Sequence, residues 1–205
     1  MNTNLTMNYN LATYIRSIAK FEQLPEDSGI EIGFCGRSNV GKSNVINTLT
    51  GKNLTRVSKT PGRTRLIHLF KLDETRRIVD LPGYGYARVS KKVKREWHDT
   101  ITMYLTHRKC LKGIVLLIDS RHPIQVLDEV MIKSTIKYGL NLHILLAKAD
   151  KLRAYQLAKY QSQFHRDFSK MKNTHNVNHQ FFSSLNGVGL NKLKKKLNSW
   201  YTLFN

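Results

Sequence analysis

Gly36-Arg37-Ser38-Asn39-Val40-Gly41-Lys42-Ser43 matches G-x-x-x-x-G-K-[ST], and its flanks decide the fold. Ahead of it, Ile30, Ile32 and Phe34 alternate along Ile30-Glu31-Ile32-Gly33-Phe34-Cys35, the period-two pattern of a strand. Behind it, Val45, Ile46 and Leu49 recur at helical spacing, and Gly51 is placed to close that helix. Strand, glycine loop and helix in this order read as a phosphate cradle. Gly36 and Gly41 let several N–H groups converge on one anion, and the helix N-terminus adds its own unpaired donors. Lys42 is placed to reach the β and γ phosphates, and the Ser43 hydroxyl to ligate Mg²⁺.

Away from the cradle the chain alternates strands with helices. Residues 1 to 9 carry no core pattern and are expected to be disordered; Leu11, Tyr14, Ile15 and Ile18 have the spacing of a short amphipathic helix. Residues 52–65 lose periodicity and read as a basic loop. Residues 66–72 and 77–80 read as antiparallel strands, and Val93, Trp97, Ile101 and Tyr104 or Leu105 as a helix. Gly113-Ile114-Val115-Leu116-Leu117-Ile118-Asp119 is the clearest buried parallel strand. A helix through Leu127, Val130 and Met131 leads to a strand at 142–146. Next come a helix bearing Phe164, Phe168 and Met171 and a strand at 180–182. The last helix turns Leu190, Leu193, Leu197, Trp200 and Tyr201 inward. The expected architecture is α/β: a mostly parallel six-stranded sheet with helices on both faces and a short N-terminal helix. Residues 1–28 are expected to form an N-terminal tail and helix, and 29–205 one domain. Ligands of such sheets bind at the carboxyl ends of the strands.

The 205 residues suit one domain, and 34 Lys+Arg against 14 Asp+Glu give a formal charge of +20, a field that attracts polyanions such as RNA. Cys35 and Cys110 lie in or beside apolar segments and read as reduced core residues, pointing to a reducing cytoplasm. No signal peptide or membrane span is expected, and none of the eight histidines has metal-ligand spacing with cysteine.

Alone, the cradle would serve an ATPase, a kinase or a GTPase. The order of the downstream motifs narrows the choice. Asp80-Leu81-Pro82-Gly83 matches D-x-x-G, Ala147-Lys148-Ala149-Asp150 stands where N/T-K-x-D should be, and Phe182-Ser183-Ser184 where a base-flanking loop should be. With Ser58-Lys59-Thr60-Pro61-Gly62-Arg63-Thr64 and Tyr84-Gly85-Tyr86-Ala87, these motifs make the stretch from about Ile30 to Trp200 resemble the EngB (YihA/YsxC) family of bacterial GTP-binding proteins. That resemblance implies a single P-loop GTPase (G) domain binding GTP/GDP with Mg²⁺, and a role in large ribosomal subunit assembly and normal septation.

By position, the resemblance makes Ser43 and Thr64 the Mg²⁺ ligands, with Thr60 the alternative to Thr64, and puts Gly62, Arg63, Arg65 and Leu66 beside the nucleotide. Asp80 would hold Mg²⁺ through water, and the Gly83 N–H would sense the γ phosphate. Asp150 would read the guanine N1–H and amine, a pair adenine cannot offer. Lys148 would lie along the base, and the backbone of Ser183 and Ser184 would meet its carbonyl. Ala147 departs from the family's Thr or Asn and lacks the side chain that braces the base loop against the P-loop, so weaker nucleotide affinity is expected. Tyr84 stands where a water-orienting glutamine would sit, which implies slow hydrolysis by Lys42, Thr64 and Gly83, with Asn39 as a candidate K⁺ ligand. Arg88, Lys91, Lys92, Lys94 and Arg95, and Lys192, Lys194, Lys195 and Lys196, are candidate contacts to ribosomal RNA or a large-subunit precursor. The protein is expected to be monomeric off the ribosome. The alternative is an RNA-binding module whose GTP pocket is regulatory and turns over negligibly.

Overall fold

The computed structural model describes residues 7–55, 66–85, 91–122, 124–169 and 176–203. Its elements in chain order are β1 (Thr13–Ile18), β2 (Ile30–Gly36), α1 (Lys42–Thr50), β3 (Ile67–Lys71), β4 (Arg76–Asp80), α2 (Lys91–His107) and β5 (Leu111–Asp119). They continue with α3 (Val126–Lys137), β6 (Asn141–Ala147), α4 (Ala154–Ser169), β7 (Val177–Phe181) and α5 (Leu190–Leu203). Seven strands form one sheet in the order β1-β3-β4-β2-β5-β6-β7. The pairs from β4 through β2, β5 and β6 to β7 are parallel, whereas β1–β3 and β3–β4 are antiparallel.

The strand alternation sorts the core onto two faces. Ile30, Ile32 and Phe34 of β2, with Val115 and Leu117 of β5, pack against Val45, Ile46 and Leu49 of α1 and Leu193, Leu197 and Trp200 of α5. Cys35, Ile114, Leu116 and Ile118 face the other way, onto Ile101 and Tyr104 of α2, Met131 and Ile132 of α3, and Phe164 of α4. Burying both faces is what makes the central strands nearly continuous apolar runs. Gly113 is required by close approach: a Cβ there would stand 2.7 Å from the Trp200 ring. Both cysteines are buried and free.

The N-terminal segment corrects two expectations. In place of an amphipathic helix, residues 13–18 form β1, which pairs with β3 and supplies the strand beyond the expected six. A helix would have had to bury Leu11 and Tyr14, yet both are largely exposed. The β-branched Thr13, Ile15 and Ile18 favour extended backbone, and β3 would otherwise present an open hydrogen-bonding edge. An irregularity between Tyr14 and Arg16 shifts the register by one residue. Tyr9, in the segment expected to be disordered, is buried and donates its hydroxyl to Asn198 Oδ1 at 2.8 Å. The inward residues of α3 are Met131, Ile132 and Thr135, whereas Leu127 and Val130 stay partly exposed.

Candidate functional site

The loop from Gly36 to Lys42 joins β2 to α1 and turns twice through left-handed backbone, at Asn39 (φ 63°) and Gly41 (φ 102°). Gly41 is the N-cap of α1, so the first helical N–H groups, those of Lys42 and Ser43 among them, have no partner within the helix. Lys42 is buried at the head of α1 and pairs with Asp80 Oδ1. Ser43, half-buried in the same turn, lies beside it. These groups fit a phosphate chain: the glycine whose Cβ would meet nothing closer than Lys148 Cε at 4.0 Å, the helix N-terminus and the buried ammonium. The Ser43 hydroxyl and the Asp80 carboxylate are hard oxygen donors suited to Mg²⁺. Among the described residues no group of three His, Cys, Asp or Glu could hold a metal unaided, so a cation here would depend on phosphate oxygens for the rest of its shell.

The second motif begins where β4 ends. Leu81 and Pro82 are buried, and Gly83 lies against the P-loop: a Cβ there would be 3.3 Å from Ser38 Oγ and 3.5 Å from the Gly36 carbonyl. Tyr84 is clasped to the same loop. Its N–H donates to Gly36 O (3.2 Å), and its carbonyl accepts from the Ser38 N–H (2.8 Å) and hydroxyl (3.1 Å). Its side chain is 2% exposed and donates to Asp128 Oδ1 at 2.6 Å. Burial first, then the neighbouring Asp128 carboxyl, pushes the phenol far above its ordinary pKa. Burial likewise raises Asp128, which accepts the Gln125 N–H at the start of α3.

At the far end, β6 stops at the buried Ala147 and Lys148 takes a left-handed conformation (φ 62°). The Lys148 ammonium donates to the Asn39 carbonyl and to Asp119 Oδ2, each at 2.9 Å. Ala149 N–H donates to Phe182 O (3.1 Å), which ties the loops after β6 and β7 together. The Ser183 hydroxyl donates to Asp150 Oδ1 at 2.6 Å and holds that carboxyl below its ordinary pKa, with Lys151 3.5 Å from the other oxygen. Phe182 is buried and Ser184 half-buried.

Gly36, Arg37, Ser38, Asn39, Val40, Gly41, Lys42, Ser43, Asp80, Leu81, Pro82 and Gly83 are thus brought to one edge of the sheet with Ala147, Lys148, Ala149, Asp150, Phe182, Ser183 and Ser184. Leu66, just before β3, reaches the same edge, because His68 pairs with Asp80 across the antiparallel ladder. Thr60, Gly62, Arg63, Thr64 and Arg65 lie outside the described residues, as do Tyr86, Ala87 and Arg88. Sequence reasoning missed three residues here. Asp119 ends the clearest strand, so the carboxyl-end rule could have found it. Asp128 is reached only through Tyr84. Thr55 accepts and donates across to Asn47 and donates to the Ser43 carbonyl (3.0 Å), fixing the root of the basic loop on α1.

Residues 31–148 match the family model described as a 50S ribosome-binding GTPase. A probable GTP-binding protein EngB from Francisella tularensis subsp. novicida is 54% identical over 196 residues, 95% of this chain and 100% of the relative. The corresponding protein of Francisella philomiragia is similar to the same extent. Among solved structures, a probable GTP-binding protein engB superposes with a TM-score of 0.68 at 25% identity, covering 84% of this chain and 98% of its own. Aquifex aeolicus Era shares the fold, with a TM-score of 0.64 at 21% identity over 84% of this chain and 57% of Era.

Proposed function

Because the chain belongs to the EngB family of GTP-binding proteins, we propose that it is a slow GTPase that acts as a switch on a precursor of the large ribosomal subunit, with a link to septation. The observation that carries the nucleotide half is the Asp150 carboxylate. Ser183 orients it on the same sheet edge as the phosphate cradle, where it can accept from guanine N1–H and amine. The ribosomal half draws on the family model's description and on the +20 charge. The working unit is the single sheet domain with β1 as its edge strand, placed in the cytoplasm. Described helices include none long and apolar enough to cross a membrane.

In this reading Lys42 and the α1 N-terminus bind the β and γ phosphates, and Ser43 and Thr64 hold Mg²⁺, which neutralises charge on the phosphate oxygens when bound. The Gly83 N–H senses the γ phosphate. Gly62, Arg63, Arg65 and Leu66 border the nucleotide. Tyr84 cannot orient water with a phenol committed to Asp128, which favours slow intrinsic turnover. Asn39 then supplies a K⁺ site, and Asn39→Ala should abolish K⁺ stimulation of turnover; an unchanged stimulation refutes it.

The Tyr84–Asp128 bond also favours a second reading, an RNA-binding module whose GTP pocket regulates without turnover. Multiple-turnover GTP hydrolysis with and without K⁺ separates the two. The main test is co-sedimentation with ribosomal subunits in GDP and in a non-hydrolysable GTP analogue. Binding to the large subunit in one nucleotide state, steeply reduced by salt, is expected; equal binding in both states would remove the switch.

A further inference from the structure

We propose that Asp119 is a positioning residue for the nucleotide site: it holds the Lys148 ammonium so that this side chain braces the base-reading loop against the P-loop. The inference rests on the GTP-binding reading and extends it to a residue outside the nucleotide motifs.

Asn39 and Lys148 are the two non-glycine residues with positive φ among the described residues, and they are joined to each other by the Lys148 Nζ to Asn39 O bond. Asparagine takes this conformation readily, whereas lysine rarely holds it without outside support, so Lys148 is the residue that needs it. Here the support is one ammonium group, whose stem passes over Gly41 and which also donates to Asp119. Asp119 is itself fixed. Arg121 donates to it from Nε (2.9 Å), Nη2 (2.7 Å) and the backbone N–H (3.1 Å). Burial alone would raise the Asp119 carboxyl, but the hydrogen bonds from Arg121 and Lys148 outweigh it and hold the carboxyl well below its usual range. It is therefore a charged anchor throughout the working pH range.

The location explains why an anchor is needed. Asp119 is in register with Ala147 across the β5–β6 ladder, and Ser120 N–H donates to Ala147 O at 2.9 Å. Ala147 has no polar side-chain atom with which to tie its loop to the P-loop. The tie runs instead from Asp119 through Lys148 to Asn39, one residue and one strand away. Base recognition at Asp150 and phosphate binding at residues 36–43 are then mechanically linked through a single cation.

The test is the dissociation rate of a fluorescent GDP analogue from the full chain, measured for wild type, Asp119→Asn, Lys148→Ala and the double variant. Asp119→Asn should speed release about tenfold, the scale of a lost charge-assisted hydrogen bond. It should add nothing in the Lys148→Ala background, because it acts through that side chain. Ala147→Thr, which restores a polar brace, should recover slow release in Asp119→Asn. An unchanged rate in Asp119→Asn, or the same acceleration with and without Lys148, overturns the inference. If Asp119→Asn lowers the urea midpoint and releases the GDP analogue faster with no rescue by Ala147→Thr, Asp119 is merely structural and the inference also falls. A wild-type protein that does not bind the analogue overturns the GTP reading itself.

Discussion

Tyr84 gives its phenol to a buried carboxylate and its backbone to the P-loop, and the two commitments separate experimentally. Tyr84→Phe keeps the backbone clasp and the ring, but leaves Asp128 to the Gln125 N–H. The expected cost is about 1–3 kcal/mol of unfolding free energy, read from urea denaturation. The hydrolysis rate should stay unchanged, because the hydroxyl is turned into the core. A slower Tyr84→Phe enzyme of normal stability would mean that the phenol works on the reaction. Neither Asp128 nor Asp119 was legible as a partner in the sequence, since their bonds to Tyr84 and Lys148 span 44 and 29 residues. What could be read was that residues 36–43, 80–83 and 147–150 would share one rim of the sheet. Their chemistry fixes both type and spacing within a few positions, whereas a supporting carboxylate can come from any element that packs nearby.

Among the elements, β2 and β5 could be read directly, because burial on both faces leaves a continuous apolar run. The N-terminal segment could not, since Leu11, Tyr14, Ile15 and Ile18 satisfy a helical stripe as readily as a bulged edge strand. Only the open edge of β3 decides between them. The end of β2 remote from the nucleotide edge is held by charge. Glu31 is fully buried and accepts from Arg108 Nη2 (2.7 Å) and Nε (3.0 Å), Arg77 Nε (2.9 Å) and the Tyr104 hydroxyl (2.5 Å). Arg108 continues to the carbonyls of Pro25 and Glu26, so α2, β2, β4 and the loop before β2 are pinned at one point. Arg108→Ala strips a buried carboxylate of its main partner and should cost about 3–5 kcal/mol of stability by urea titration. GDP affinity of the folded fraction should be unaltered, because the network lies at the opposite edge from the cradle. A loss below about 1 kcal/mol would show that Arg77 and Tyr104 suffice.

At the scale of the molecule, carboxylates such as Asp27, Glu31, Asp80 and Asp119 commit their charge to internal partners, while other described basic side chains face solvent. Lys192 and Lys195 on α5 are exposed in this way, as is Arg95 on α2. Under α5 lies His143, buried edge-on against Trp200, its Nε2 3.1 Å from Gln180 Oε1. Burial first, then Lys196, Lys192 and His179, push its pKa down to about 4. The unfolded chain takes up this proton below about pH 6.5, whereas the folded protein refuses it until about pH 4. Stability is therefore full above pH 6.5 and declines across that window, by an amount on the order of 3 kcal/mol. Urea midpoints at pH 7 and pH 5 should differ in wild type and differ by less in His143→Gln, the remainder including His68, which burial also pushes below its ordinary pKa. The depressed carboxyls of Asp27, Glu31 and Asp73 add a separate loss at lower pH, as the pH falls below the usual carboxylate range.

The bond from the Tyr9 hydroxyl to Asn198 crosses 189 residues of sequence, and Tyr201 donates to the Arg77 carbonyl at 2.8 Å. The first described stretch, ahead of β1, thus lies against the last helix, and the fold is closer to a ring than to a line. A ring can be opened elsewhere. Gly139 is exposed between α3 and β6, and a Cβ there would meet nothing within 4 Å. A circular permutant that begins at Leu140 and joins the old ends by a flexible glycine-serine linker should fold and retain GDP affinity. Failure of that permutant to fold would show that chain order, as well as contact, is needed to assemble the sheet.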